Sequence, residues 1–316
     1  MNTSPLLSVI IPVYNAANYL DACISCLKEQ GVSDLEVILV NDGSRDNSLE
    51  ICHRYAAQDA RIHVFDKANG GQSSARNLAL QHARGRYIAF LDSDDSLADG
   101  TLSYALEALE ADAQCDFVQF PLLLEAGHPT LERLHTYTPH SWSNPQSIAL
   151  DYARGQQLSW RVCDKVFRRE LLEGLRFVEG LVYEDNLYCT EAMLRAQGGA
   201  IINQGCYIYN WNSQSTTHAP KPQSHVDMID VHGRIYELMK AAGHREASSY
   251  ILALVAADVF AAYRGRGPLR LEELKVGTRA LRRASWGECL LTADIKLQRR
   301  LKCLGMKLYS HLANEH

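Results

Sequence analysis

From Leu6 to Leu97 the chain alternates short apolar runs with amphipathic stretches, and this alternation limits the fold more than any other feature. Leu6–Val13, Leu35–Val40, Arg61–Phe65 and Tyr87–Leu91 read as buried strands. Between them the pattern predicts a helix from about Ala17 to Gln30, with Leu20, Cys23, Ile24 and Leu27 on one face and Gly31 ending it. Asn47 or Ser48 starts a second helix running to about Gln58, and Gly70–Asn77 opens a third. Strands and helices in alternation, joined by short turns, form a parallel, doubly wound α/β sheet. Such sheets bind ligands outside the carboxyl ends of their strands. The first, second and fourth strands all end in polar clusters, so Tyr14, Asn15, Asp42, Arg76, Asp92 and Asp94 are expected to converge on one cleft.

The fourth cluster is the most demanding. Three carboxylates, Asp92, Asp94 and Asp95, follow an apolar run within four residues. Like charges this close repel, and burying them without a partner is costly. Carboxylate oxygens suit hard divalent ions, and Mg2+ takes one or two protein carboxylates while phosphates and water fill the rest of its shell. Asp92-Ser93-Asp94 therefore reads as a seat for a metal–diphosphate. By itself it reads equally as an acidic turn capping a helix that begins near Thr101. The edge lacks the glycine-rich fingerprint of a dinucleotide fold or a P-loop, so metal and side chains would have to hold a diphosphate.

Four segments, in order and spacing, carry a resemblance: Ser8–Asn15, Val40–Asp46, Gly70–Asn77 and Phe90–Asp95. Together they closely resemble the family 2 nucleotide-sugar glycosyltransferases of bacterial surface-polysaccharide type. That resemblance implies the GT-A fold, a Rossmann-like, mostly parallel doubly wound sheet. It is specific from Leu6 to Leu97 and weaker to about Thr217. The expected layout is a catalytic domain over 1–220, with a nucleotide-sugar half over about 1–97 and an acceptor half over about 98–220, followed by a helical region over 221–316.

The resemblance also implies roles. Asp42 would accept a hydrogen bond from a uracil ring, although alone it reads as a plain turn residue. Pro12, Tyr14 and Asn15 would form the nucleotide pocket, with Tyr14 stacking on the base. Arg76 would approach the nucleotide or its phosphates. Asp92 would contact the ribose or a metal-bound water, and Asp94 would ligate Mn2+ or Mg2+. Asp95 would orient the turn. The general base of an inverting displacement would be Asp185, with Glu184 supporting it or binding acceptor. Both sit where a helix from Glu184 to about Arg195 begins and where the helix dipole favours a carboxylate. A helix N-cap pair is the plain alternative. Lys165 would meet the donor phosphate or the acceptor, or be a solvated charge. Trp160 would line the sugar site or pack in the core. Relatives often carry an arginine-containing lid ending in Ser-Thr; Ser215, Thr216 and His218 fall there. The chain has Asn210-Trp211-Asn212 where arginine is common, which puts the lid's cationic part in question.

The implied partners are a nucleotide-sugar, UDP-linked by expectation, and a glycan acceptor on a lipid carrier or lipid A core. At 316 residues and 47% hydrophobic the chain can build a sizeable core, and its net charge of −5 gives no signal for nucleic acid. The start lacks a signal-peptide pattern and nine cysteines are scattered, so free thiols and a cytoplasmic site, peripheral on the membrane's inner face, are expected. Beyond Asp227 the pattern is helical and the last helix mixes basic with apolar residues. Two uses stay open: docking on an anionic membrane, or packing the apolar face on the catalytic domain or a dimer mate. Two other activities share this chemistry. A sugar nucleotidyltransferase would need a glycine-rich phosphate loop where Tyr14–Ala17 stands. A non-catalytic binding module would have no need of intact acids.

Overall fold

The computed structural model describes residues 4–128, 130–212, 223–264, 270–288 and 297–312. In chain order the strands and helices are β1 (Leu7–Val13), α1 (Leu20–Ser25), β2 (Leu35–Asp42), α2 (Ser48–Gln58), β3 (Ile62–Lys67), α3 (Gln72–His82), β4 (Tyr87–Phe90), β5 (Ser96–Leu97) and α4 (Thr101–Ala111). Next come β6 (Phe117–Gln119), β7 (Leu122–Ala126), β8 (Arg133–His135), β9 (His140–Trp142), α5 (Pro145–Arg154), β10 (Lys165–Arg168) and α6 (Glu184–Arg195). The chain continues with β11 (Gly199–Ile201), β12 (Tyr207–Asn210), α7 (Gln223–Ala241), α8 (Arg245–Arg264), α9 (Arg270–Arg283) and α10 (Leu297–Leu312). The helix expected over Ala17–Gln30 is shorter: α1 gives way to a 3-10 turn over Cys26–Gln30, which Gly31 ends at φ +69°.

The chain divides into two units, the first comprising 1–145, 161–180 and 195–213. Its eight-stranded sheet has the order β3-β2-β1-β4-β10-β6-β11-β9, and its first four strands are parallel. β1 and β2 are buried along their whole length, which is why they read as unbroken apolar runs. The α/β expectation of a mostly parallel doubly wound sheet holds for this half. Beyond β4 the sheet turns mixed, with β10 antiparallel to both β4 and β6.

The strand expected over Phe117–Leu124 is two strands. β6 belongs to the large sheet, whereas β7 joins a second sheet of order β5-β12-β7-β8. The crossing falls at Phe120-Pro121: Phe120 N donates to Asp164 O at 3.1 Å, and Pro121 O accepts from Tyr207 N at 2.8 Å. Proline cannot donate to a ladder, so the break comes where the backbone stops pairing with the first sheet. The segment His128–Ser143, expected as a loop, contributes the short strands β8 and β9.

The second unit comprises 146–160, 181–194 and 214–316, and its described part is helical. α7, α8, α9 and α10 pack on one another. On α10, Cys303 and Met306 are buried against these neighbours, so its apolar side packs within the bundle. No described helix is long and apolar enough to cross a membrane.

Candidate active site

The parallel register brings three strand ends together. Val13 pairs with Asn41 and Ile10 with Phe90, and Leu91 N donates to Ile10 O at 3.0 Å. The residues after β1, β2 and β4 therefore share one edge, as the sequence implied. Tyr14 is 48% exposed there, its ring open to a partner, while Pro12 is buried opposite Val40. Asn15 has φ +49°, a conformation asparagine tolerates better than most residues. Its backbone N donates to Ser44 Oγ at 3.1 Å and its Oδ1 accepts from Arg45 N at 2.8 Å. Asn15 thus ties the loop after β1 to the loop after β2.

Asp42 ends β2 and is buried. Its Oδ1 accepts from Lys67 Nζ at 2.6 Å and from Gly70 N at 2.9 Å. Its Oδ2 accepts from Gly71 N at 2.7 Å and from Asn69 Nδ2 at 3.2 Å. Four donors satisfy the four lone-pair positions of a carboxylate. Lys67 reaches it because β3 runs two residues past the expected end, which sets Lys67 opposite Asp42. Asp42 therefore anchors the glycine-containing loop that leads into α3.

The acidic loop after β4 is held on every side. Asp92 Oδ1 accepts from Arg76 Nη2 at 2.7 Å and from Gln72 Nε2 at 2.8 Å, both on α3. Asp95 is buried beneath, accepting from Tyr207 Oη at 2.6 Å and from Asn210 N at 2.9 Å. The same hydroxyl accepts from Asp92 N at 3.2 Å. Asn210 Nδ2 donates to Asp94 O at 2.9 Å, and Asn212 Nδ2 to Asp94 Oδ2 at 3.1 Å. The two asparagines that stand where arginine was expected thus bond directly to Asp94. Burial, and then the charge on Asp92, raise the Asp94 carboxyl above the ordinary range. Burial followed by the charges of Asp92 and Asp94 raises Asp95 further.

Arg76 is nearly inaccessible, with its guanidinium 5.2 Å from the centre of the Phe177 ring. α3 also fixes the segment beyond that ring. Asn77 Nδ2 donates to Phe177 O at 2.9 Å, its Oδ1 accepts from Phe177 N at 2.8 Å, and Ser73 Oγ donates to Val178 O at 3.0 Å.

In the second unit Glu184 and Asp185 form the first turn of α6, half-buried. Asp185 Oδ1 accepts from Asn186 N at 3.0 Å. Tyr183, just before them, has φ +65°, a strained backbone for a bulky residue. Val182 N donates to Asp227 Oδ2 at 3.2 Å, and Asn186 O accepts from Tyr152 Oη at 3.0 Å. Trp160 is half-buried, donates from Nε1 to Tyr152 O at 2.6 Å, and stands edge-on to His232 with centroids 5.3 Å apart. Its immediate surroundings are helix α5 and α7 side chains.

Of the two readings of Lys165, a contact to donor phosphate or acceptor and a solvated charge, the second does not hold. Lys165 and Asp164 are both fully buried, and the Lys165 Nζ donates to Asp164 Oδ1 and to Arg161 O, each at 2.7 Å. Burial of a lysine requires such a partner, and this one lies next to it in sequence. Ser215, Thr216 and His218 lie outside the described residues.

Residues 8–175 match the model of glycosyl transferase family 2. The chain belongs to that family. Among its relatives, the uncharacterized glycosyltransferase EpsJ of Bacillus subtilis (strain 168) is 36% identical over 225 residues. That match covers 68% of this family 2 chain and 64% of EpsJ, so the chain spans just under two thirds of that relative's length. The crystal structure of S. aureus TarS 1-349 in complex with UDP-GlcNAc is similar with a TM-score of 0.77 at 19% identity, covering 98% of this chain and 91% of the other. The mannosyltransferase PcManGT from Pyrobaculum calidifontis, solved with GDP-Man and Mn2+, gives a TM-score of 0.55 at 18% identity, covering 100% and 89%. At these identities the likeness is one of fold, and the GT-A reading of the family 2 chain stands.

Sequence reasoning missed Lys67, Asn69, Gln72, Asn77 and Tyr207 as partners of the strand-end acids and of α3. Gln72 and Asn77 lie inside a segment already singled out. Lys67 could have been found from the parallel register, which sets it beside Asp42. Tyr207 lies 112 residues from Asp95 and left no local signal.

Proposed function

We propose that this chain is an inverting glycosyltransferase moving a sugar from a UDP-sugar to a hydroxyl of a glycan acceptor. The observation that carries the reading is the pair Asp92 and Asp94, half-buried at the edge where β1, β2 and β4 end, with Arg76 beside them. The likeness to EpsJ, a glycosyltransferase by name, and to TarS, solved with UDP-GlcNAc, supports the class and the donor. The acceptor we assign is a bacterial surface glycan carried on a lipid.

The donor set fits Mn2+ or Mg2+. Among the described residues no group of three or more His, Cys, Asp or Glu side chains is placed to hold a metal ion by itself. Two hard oxygen donors are what these ions take when phosphates complete the shell. Burial, and then the charge on Asp92, raise the Asp94 carboxyl, and a bound cation would favour its ionised form. When bound, the ion would neutralise the departing diphosphate.

The chain's own residues do the rest. Tyr14 offers an exposed ring to the base. Asp42 can read the base only by exchanging one of its four donors, and Lys67 or Asn69 is the side chain that would give way. Arg76 holds Asp92 and so sets the direction of the acidic loop. Asp185, in the first turn of α6, takes the proton from the acceptor hydroxyl. Glu184 supports it.

The test is the thermal midpoint of the protein against UDP-, GDP-, dTDP- and CMP-sugars, with Mn2+ or with EDTA. A ligand at 100 times its Kd stabilises by about 2.7 kcal/mol. A rise with one UDP-sugar that needs Mn2+ and vanishes in Asp94→Asn is expected. A flat response in all conditions, or a rise unchanged by EDTA, refutes the metal–nucleotide site. Inversion is checked by the anomeric configuration of the product.

A further inference from the structure

Charge is distributed very unevenly along the chain. The first 263 residues carry 20 Lys and Arg against 32 Asp and Glu, whereas from Arg264 onward there are twelve against five. A protein of net charge −5 is repelled by an anionic surface unless its positive charge is gathered in one place.

In the structure, α9 carries Lys275, Arg279 and Arg283 exposed and Arg282 partly exposed, while Thr278, Ala280, Leu281 and Ala284 are buried. Lys275, Arg279 and Arg282 are spaced by four and three residues, so they share one side of the helix. Arg283 has a long ion pair to Glu237, at 3.8 Å. The acid that follows, Glu288, is engaged by Lys240, Tyr236 and Ser285.

Trp286 comes next and is 49% exposed. Its ring has the Lys307 ammonium 5.2 Å from its centre. Lys307 comes from α10 and is itself buried, donating to Leu281 O at 2.9 Å and Ala284 O at 2.5 Å. It thereby caps the carboxyl end of α9 and pins the ring beside it. Leu308, its neighbour on α10, is 53% exposed.

We infer that this basic stripe, ending in Trp286, docks the chain on an anionic lipid surface. Basic side chains supply attraction to the headgroups, and a tryptophan seats at headgroup depth. Docking is adsorption and not insertion, because Cys303 and Met306 of α10 are already buried within the bundle. The inference rests on charge and exposure in the helical unit and is independent of the glycosyltransferase reading.

The experiment is vesicle co-sedimentation of the full chain, with phosphatidylcholine alone and with about one third phosphatidylglycerol, at low and high ionic strength. Retention on the anionic vesicles only, lost at high salt, is expected. Lys275→Gln, Arg279→Gln and Arg282→Gln together should weaken it about a hundredfold, at roughly fivefold per charge. Trp286→Phe should remove the blue shift of tryptophan emission that accompanies binding. Circular dichroism and the thermal midpoint of each variant confirm that it is folded. Equal retention on neutral vesicles, no retention, an undiminished triple variant, or self-association of the chain in place of lipid binding would each overturn the inference.

Discussion

Tyr207→Phe tests the framework under the acidic loop with little disturbance of packing. Tyr207 is fully buried, and phenylalanine fills the same space less one oxygen, so the change leaves almost no cavity. What it removes is specific. Asp95 loses the donor at 2.6 Å and keeps only Asn210 N, and Asp92 N loses an acceptor at 3.2 Å. A hydrogen bond to a buried charged group is worth about 1.5–3 kcal/mol, and the longer contact adds less than about 1 kcal/mol. The expected loss is about 2–4 kcal/mol, or roughly 5–15 °C in the melting of a unit this size.

The pH dependence follows from the direction of the Asp95 shift. Burial, then Asp92 and Asp94, raise this carboxyl, and the Tyr207 hydroxyl opposes them. Without the hydroxyl the folded value rises again. The stabilisation that Tyr207 gives is present where Asp95 is ionised and is lost as pH falls through its folded value. The gap between the two proteins should therefore narrow in acid. Differential scanning calorimetry at several pH values reads both effects. In a double-mutant cycle with Asp95→Asn, the coupling should be about 1–3 kcal/mol. A gap under about 0.5 kcal/mol, or strict additivity of the two changes, would refute the reasoning.

Three further outcomes are expected. Lys165→Met should cost about 3–5 kcal/mol by stranding Asp164, and Asp164→Leu in the same protein should restore much of it; unchanged urea unfolding with a raised donor KM would make Lys165 a ligand contact instead. Asn77→Ala leaves the Phe177 N–H and C=O unmet, so about 2–4 kcal/mol should be lost and limited proteolysis should cut first within 174–180; a resistant variant argues against the tie. Burial raises Glu288, but the Ser285 N–H and hydroxyl, Lys240 and Tyr236 outweigh it and hold the carboxyl at about 2. Its stabilisation is complete above the unfolded value and is lost as pH falls from there toward about 2, worth about 1–2 kcal/mol after solvent screening. Glu288→Gln should flatten that part of the acid unfolding curve, and an unchanged curve would contradict the shift.

The convergence of Tyr14, Asp42 and Asp92 was legible because a parallel sheet has no freedom in the matter. Strands buried on both faces read as unbroken apolar runs, and helical crossovers return each one in the same direction. Whatever follows the runs must gather at one edge. The same logic fails past β4, where β10 enters antiparallel and Pro121 passes the chain from one sheet to the other inside a single apolar run. It fails also for the support of the acids. Asp95 reads in sequence as a residue that orients the turn, with nothing nearby to show what it bonds to. Its function is set by Tyr207 and Asn210, over a hundred residues away, which turn it downward into the protein and leave Asp92 and Asp94 at the edge. Asn210 and Asn212 show why the loss of an expected arginine did not empty the place. Their amides bond to the Asp94 carbonyl and carboxylate, a neutral grip that orients the acid without cancelling its charge.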